Sequence, residues 1–243
     1  MAQVIMIASG KGGTGKSTVA TFMALELSTK GSRAFLTELD MGLRSIDVIS
    51  GISDLAVYDI GDVLDGGCSY EKAIVNSPHS NNLHIMPAPG KKSGVKFENL
   101  KKLIDEIYSQ YDYIIIDTAA GLGEAFNAAL AVSNMAVIVC TADAVSVRDA
   151  RIVSDEIYYN QLKDIRLIIN KFDKNTFKHS GFSDGDQIID ACCTQLLGVI
   201  PYDVDIQVAA MDGKQLAFDS MSKKIFSAIC DRLQGKHTQM IVR

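Results

Sequence analysis

Residues 10–18 read GKGGTGKST. They satisfy G-x-x-x-x-G-K-[ST], the pattern of a loop whose backbone N–H groups curl around phosphate oxygens. Gly10, Gly12, Gly13 and Gly15 let the chain wrap closely, and Thr14 and Thr18 complete the cradle. A helix beginning near Lys16 would aim its positive end at the same anion. Lys16 is placed to reach the β- and γ-phosphates, and the Ser17 hydroxyl to ligate Mg²⁺. The flanks make so short a pattern specific: VIMIAS (4–9) precedes it as a strand and TVATFMALELSTKG (18–31) follows as a helix. One residue is left over. Lys11 sits early in the turn, where its own phosphates are already served by Lys16. It either idles in solvent or enters the phosphates of a second subunit placed face to face. A cation supplied in trans would neutralise charge on the equatorial oxygens during phosphoryl transfer.

Outward from the loop, short apolar runs alternate with helix-length periodic stretches. RAFLTE (33–38), LHIMPA (83–88), YIIID (113–117), AVIVCT (136–141), IRLIIN (165–170) and LGVIP (197–201) are continuous, as in strands buried on both faces. FENLKKLIDEIYSQ (97–110) puts Phe97, Leu100, Ile104, Ile107 and Tyr108 on one stripe. DSMSKKIFSAICDRLQG (219–235) repeats this with Met221, Ile225, Ile229 and Leu233. The fold class expected is α/β, a doubly wound, mainly parallel sheet with helices on both faces. Residues 1–235 read as one domain, 171–184 as a loop, and 236–243 as a short disordered tail. In such sheets ligands sit beyond the carboxyl ends of the strands.

Composition narrows the classes. With 243 residues, 47% of them apolar, a large core is available, and a net charge of −5 disfavours broad coating of DNA. The first residues lack the basic start of a signal peptide, and no run of 18 apolar residues spans a membrane. Cys68, Cys140, Cys192, Cys193 and Cys230 have no paired metal-site spacing, which points to reduced thiols.

Two carboxylate positions fall at strand tips. Asp117 ends YIIID, where a P-loop protein needs an acid to hold the metal's water shell. Asp40, in FLTELDMGLRSID, is a candidate to orient attacking water or bind metal-bound water, with Glu38 beside it.

SGKGGTGKST resembles the deviant Walker A motif of the MinD/ParA family of ATPases, whose signature lysine sits where Lys11 does. The likeness continues, nearest the MinD branch, through LDMGLRSIDVISG, VYDIGDVLDG, LHIMPAPG, YIIIDTAAGLGEA, VSVRDARIVSDEI and LLGVIPYDVDIQVAAMDGK, covering roughly residues 3 to 217. The resemblance implies a slow Mg²⁺-dependent ATPase that forms a homodimer with ATP sandwiched between subunits, is reset by a protein regulator, and serves spatial positioning such as division-site placement. By motif, Lys11 would be the intermolecular lysine, Lys16 and Ser17 the phosphate and Mg²⁺ residues, Asp40 the water-positioning acid and Asp117 the Walker B acid. Asp149 would lie near the dimer and partner surface. Asn170 would hydrogen-bond the adenine, with Pro201 to Asp203 bordering the base.

There are departures. The family often has Asp at the position of Glu38, and Ser-Pro where this chain has Thr118-Ala119. The ending LQGKHTQMIVR is short beside the basic amphipathic helix usual in MinD proteins. Lys236, His237 and Arg243 beside Met240, Ile241 and Val242 imply only weak membrane contact from a cytoplasmic protein at the plasma membrane's inner face.

Rival readings remain. Asn170-Lys171-Phe172-Asp173 matches the N-K-x-D pattern that reads guanine, which would make the nucleotide GTP. Lys91, Lys92, Lys96, Lys101 and Lys102, with Lys171, Lys174, Lys178 and His179, would suit a ParA-type DNA or cargo partitioning ATPase, although the acidic balance makes DNA a poor partner. A metal-carrier switch would need a cluster bridged between subunits. A pure binding module would hold nucleotide without turnover.

Overall fold

The computed structural model describes residues 2–42, 44–90 and 96–241. Lys91 and Lys92 of the first basic cluster, and Val242 and Arg243 of the tail, lie outside the described residues.

Eight strands form one sheet: β1 (Gln3–Ala8), β2 (Ala34–Glu38), β3 (Val75–Asn76), β4 (Leu83–Met86), β5 (Tyr113–Asp117), β6 (Met135–Thr141), β7 (Ile165–Phe172) and β8 (Gln195–Pro201). Their order is β3-β4-β2-β5-β1-β6-β7-β8, all parallel except the two-residue β3, which pairs antiparallel with β4. The order reverses about β1, which is flanked by β5 and β6. The loop after β1 therefore opens at the switch point where open α/β sheets bind ligands.

Alternate residues of each central strand enter opposite cores, which explains their unbroken apolar sequences. Val4, Met6 and Ala8 face one side with Ile114, Ile116 and Ile138; Ile5, Ile7, Ile115 and Val137 face the other. The second core is closed by α1 (Lys16–Thr29) and α11 (Met221–Leu233), with the Phe22 and Phe226 rings tilted at 5.4 Å. The first lies under α5 (Leu100–Ile107), α6 (Glu124–Val132), α7 (Ala144–Tyr159) and α9 (Gly185–Cys192).

Four short helices, α2 (Ser45–Ile49), α3 (Ile60–Leu64), α4 (Tyr70–Ala73) and α8 (Lys174–Phe177), and the nine-residue α10 (Val204–Asp212) complete the set. α8 corrects the expected loop over 171–184. β7 runs on to Phe172, and the Asp173 carboxylate then accepts the N–H groups of Asn175 and Thr176, which starts the helix. Beyond α11, Arg232 Nη1 donates to Thr238 Oγ1 and to the Gln239 carbonyl, both at 3.3 Å, and Ile241 packs on the second core. No helix among the described residues is long and apolar enough to cross a membrane.

Candidate nucleotide site

The phosphate loop spans the gap between Ala8 and Lys16. Gly15 has φ +90°, a left-handed conformation glycine adopts without strain, and a Cβ there would collide with Asn170 Nδ2. Gly10 is required for a different reason. A Cβ at that position would lie 2.5 Å from the Asp149 carbonyl oxygen, so only glycine lets α7 pack against the loop. Gly12 and Gly13 have open space where a side chain would go. Two contacts from β7 hold the loop from the far side. Asn170 Nδ2 donates to the Thr14 carbonyl at 2.7 Å, and Lys171 Nζ donates to the Gly13 carbonyl at 2.8 Å.

Lys16 and Asp117 are brought together on the buried floor. Lys16 Nζ stands 4.0 Å from Asp117 Oδ1; Lys16 is 8% exposed and Asp117 wholly buried. Burial drives the Asp117 pKa up to about 6, against the pull of the Lys16 charge and the Ser17 hydroxyl, with Asp40 adding to the rise. Glu38, opposite Asp117 in the β2–β5 register, is pushed by burial to about 8, although it accepts the Ile46 N–H at 3.0 Å. Both oxygens of Asp117, Oε1 of Glu38 and the Thr14 hydroxyl are buried without a hydrogen-bond partner. Orphaned acceptors on this scale at a glycine-rich loop mark a place where something else is meant to bind. Asp40 is half-buried just past β2 and close enough to raise both neighbouring acids.

Backbone bonds hold the surrounding loops in place. The Leu39 N–H donates to the Asp117 carbonyl, Thr118 N–H to Ile7, and Gly121 N–H to Ser9. The loops after β1, β2 and β5 thus share one hydrogen-bonded frame.

Lys11 lies outside the buried floor. Its side chain is 48% exposed, and its Nζ is 3.9 Å from Asp143 Oδ1, at the N-cap of α7. Although burial opposes it, the Thr141 hydroxyl, the Ser146 N–H and Lys11 hold the Asp143 carboxyl below its ordinary value. Asp149, one turn and a half further along α7, is paired with Arg148 at 2.9 Å.

A cavity of about 500 Å³ adjoins the loop, lined by Gly15, Thr18, Asn170, Pro201, Asp203 and Met211 among others. Every residue expected to border a base lines it. Asp203 is partly engaged there: it accepts the Asp205 N–H at 2.9 Å and the Ser222 hydroxyl. Asp173 is not among the residues lining this cavity; its carboxylate caps α8, accepting the Asn175 and Thr176 N–H groups. Sequence reasoning missed Asp143, and gave Lys171 a place in the N-K-x-D pattern and a basic cluster without foreseeing its bond to the loop. Asp143 stands just beyond AVIVCT, where the rule of strand carboxyl ends could have found it. Lys171 reaches the loop through a left-handed backbone, φ +54°, which no sequence signal announces.

Residues 2–157 match the family described as AAA domain. The MinD septum site-determining protein of Bacillus subtilis is 31% identical over 248 residues, covering 100% of this chain and 92% of that protein. The chain belongs to the MinD family. Among solved structures, the MinC:MinD cell division complex of Aquifex aeolicus superposes with a TM-score of 0.90 at 29% identity, covering 99% of both chains. The Pyrococcus horikoshii MinD complexed with Mg-ADP shares the fold, with a TM-score of 0.86 at 24% identity over 96% of both chains. The MinD likeness extends past the family match at residue 157, through the β7 and β8 segments that border the cavity beside the loop.

Proposed function

We propose that the chain is an ATP-dependent dimerisation switch that hydrolyses ATP slowly and serves spatial positioning of the MinD kind. The observation that carries this reading is the split between its two loop lysines. Lys16 is buried against Asp117, whereas Lys11 stands half-exposed on the nucleotide face with one distant carboxylate for company. A lysine held at the rim is free to exchange Asp143 for the phosphates of a facing copy, a reading supported by its position rather than by any observed dimer.

The donor set suits Mg²⁺, which takes hard oxygen ligands and keeps several waters. Ser17 would hold it directly, and Asp40 and Asp117 through water; the unpartnered Asp117 oxygens fit that role. When bound, the ion neutralises charge on the β- and γ-phosphate oxygens. The chain's residues do the rest. The loop amides and Lys16 orient the triphosphate, Asn170 and the Pro201–Asp203 segment border an adenine, and Asp40 positions water. The site is open until a partner covers it, which keeps intrinsic turnover low. A protein regulator would speed the reset, and a cytoplasmic pool would visit the membrane only weakly.

Lys11→Ala is the test. Nucleotide affinity should stay within about threefold of the parent, because Lys16 and the amides remain, whereas ATP-induced dimerisation is lost and turnover falls by about 10³-fold. Sedimentation and phosphate release with ATP and ADP read both effects. A Lys11→Ala protein that still dimerises with ATP would refute the scheme.

A further inference from the structure

Successive residues of a regular strand point to opposite faces, so two neighbours do not ordinarily reach the same loop. Asn170 and Lys171 do. Asn170 Nδ2 donates to the Thr14 carbonyl at 2.7 Å, and Lys171 Nζ to the Gly13 carbonyl at 2.8 Å. The register of β7 against β8 explains how. Ile169 stands opposite Val199 and Phe172 opposite Pro201, so β7 takes three steps where β8 takes two. The extra residue makes a bulge, a device that re-aims side chains beside binding sites. Within it Lys171 has φ +54°, a left-handed conformation that residues other than glycine seldom adopt. Gly15 leaves room for both side chains: a Cβ there would strike Asn170 Nδ2 and lie 3.7 Å from Lys171 Cε.

The two carbonyls held are consecutive. In a planar trans peptide the C=O and the following N–H point in opposite directions. Drawing the Gly13 carbonyl toward Lys171 therefore aims the Thr14 N–H away from β7. Drawing the Thr14 carbonyl toward Asn170 does the same for the Gly15 N–H. Among the described residues, neither N–H donates to another group of the chain.

We propose that the β7 bulge is a two-pronged clamp that orients two peptide planes of the phosphate loop before nucleotide arrives, with Lys171 a positioning residue acting through the Gly13 carbonyl. Glycines at 10, 12, 13 and 15 give a free loop many conformations to lose on closing round an anion. A loop already held has less to lose, so it binds more tightly. The strained backbone at Lys171 is what brings both prongs to one loop, which accounts for a lysine where glycine would sit more easily. The inference rests on the nucleotide reading of the loop and not on dimerisation or turnover.

Calorimetry with Mg-ADP on the parent, Lys171→Met, Lys171→Arg and Lys171→Gly, beside a nucleotide-free melt of each, tests the clamp. Lys171→Met removes the donor and should raise the dissociation constant about fivefold, the worth of one hydrogen bond. Lys171→Arg restores a donor and should stay within about twofold of the parent. Lys171→Gly loses the donor but relieves the left-handed backbone, so its affinity should fall about fivefold while its melting temperature holds or rises. A residue that merely stabilised the fold would move affinity and melting together. Parental affinity in Lys171→Met, no recovery in Lys171→Arg, or a joint fall of affinity and melting temperature in Lys171→Gly would each overturn the proposal. A parent that fails to bind Mg-ADP would overturn the nucleotide reading and the clamp with it. One that binds it without dimerising on ATP would overturn only the switch, with the affinity comparison still deciding the clamp.

Discussion

A methyl group at position 10 would meet the backbone of Asp149, and backbone cannot swing aside as a long side chain can. Gly10→Ala is therefore expected to force the loop and α7 apart, costing about 1–3 kcal/mol. A melting experiment should register a drop of about 2–4 °C per kcal/mol, accompanied by weaker nucleotide binding. An unchanged melt would mean that the loop and α7 are not packed as described. Asp40 is the opposite case, half-buried and free of hydrogen-bond duties among the described residues. If its role is to orient water, Asp40→Ala should leave the fold intact and yield an ATP dimer that persists. Size-exclusion chromatography over time after ATP addition checks this; a dimer that dissolves at the parent rate would remove Asp40 from the hydrolytic machinery.

The elements differ in how openly the sequence declares them. Seven strands could be read because burial on both faces leaves unbroken apolar runs, and α5 and α11 because each shows an apolar stripe. α1, buried almost all round, has no stripe and was legible from its place after the phosphate loop and its Lys30-Gly31 end. β3 has two residues, and α2, α3, α4 and α8 have four or five, too few for any period to emerge. α3 is set by its ends instead, with Asp59 and Asp62 exchanging backbone N–H bonds in a capping box. Within the site, the loop, Asp117 and Asp40 were legible from motif and strand-tip position. The Lys11–Asp143 pair, the Lys171 brace and the Gly10–Asp149 approach were not, since each depends on segments more than 130 residues apart meeting in space. β4 carries a testable electrostatic feature. His84 Nδ1 lies 2.6 Å from the Tyr111 hydroxyl, near Arg33, and burial holds its pKa below the ordinary 6.5. The unfolded chain then binds the extra proton first. The His84 contribution to stability is complete above pH 6.5 and is lost as pH falls through the lowered folded value. Urea unfolding across this range should show stability declining toward acid, with a shallower slope in His84→Gln; parallel slopes would exclude His84 as a source.

Across the whole molecule, the chain's last described residues are tied back to its body. Arg232 Nε donates to the Leu197 carbonyl at 2.6 Å while its Nη1 reaches Thr238 and Gln239, and Ile241 rests on the core. Ile241, partly buried in this way, presents less apolar area to a lipid surface than a released tail would. Arg232→Ala should release the tail and raise the fraction pelleting with anionic vesicles in the presence of ATP by about twofold or more. Equal pelleting would show that the tethered tail does not limit lipid contact. The central place of β1 has a further consequence during synthesis. β1 is synthesised before its partners, which end at residues 117 and 141, and its phosphate loop is braced from residues 170 and 171. Until those residues have emerged, the nascent chain carries a nucleotide motif with no scaffold behind it.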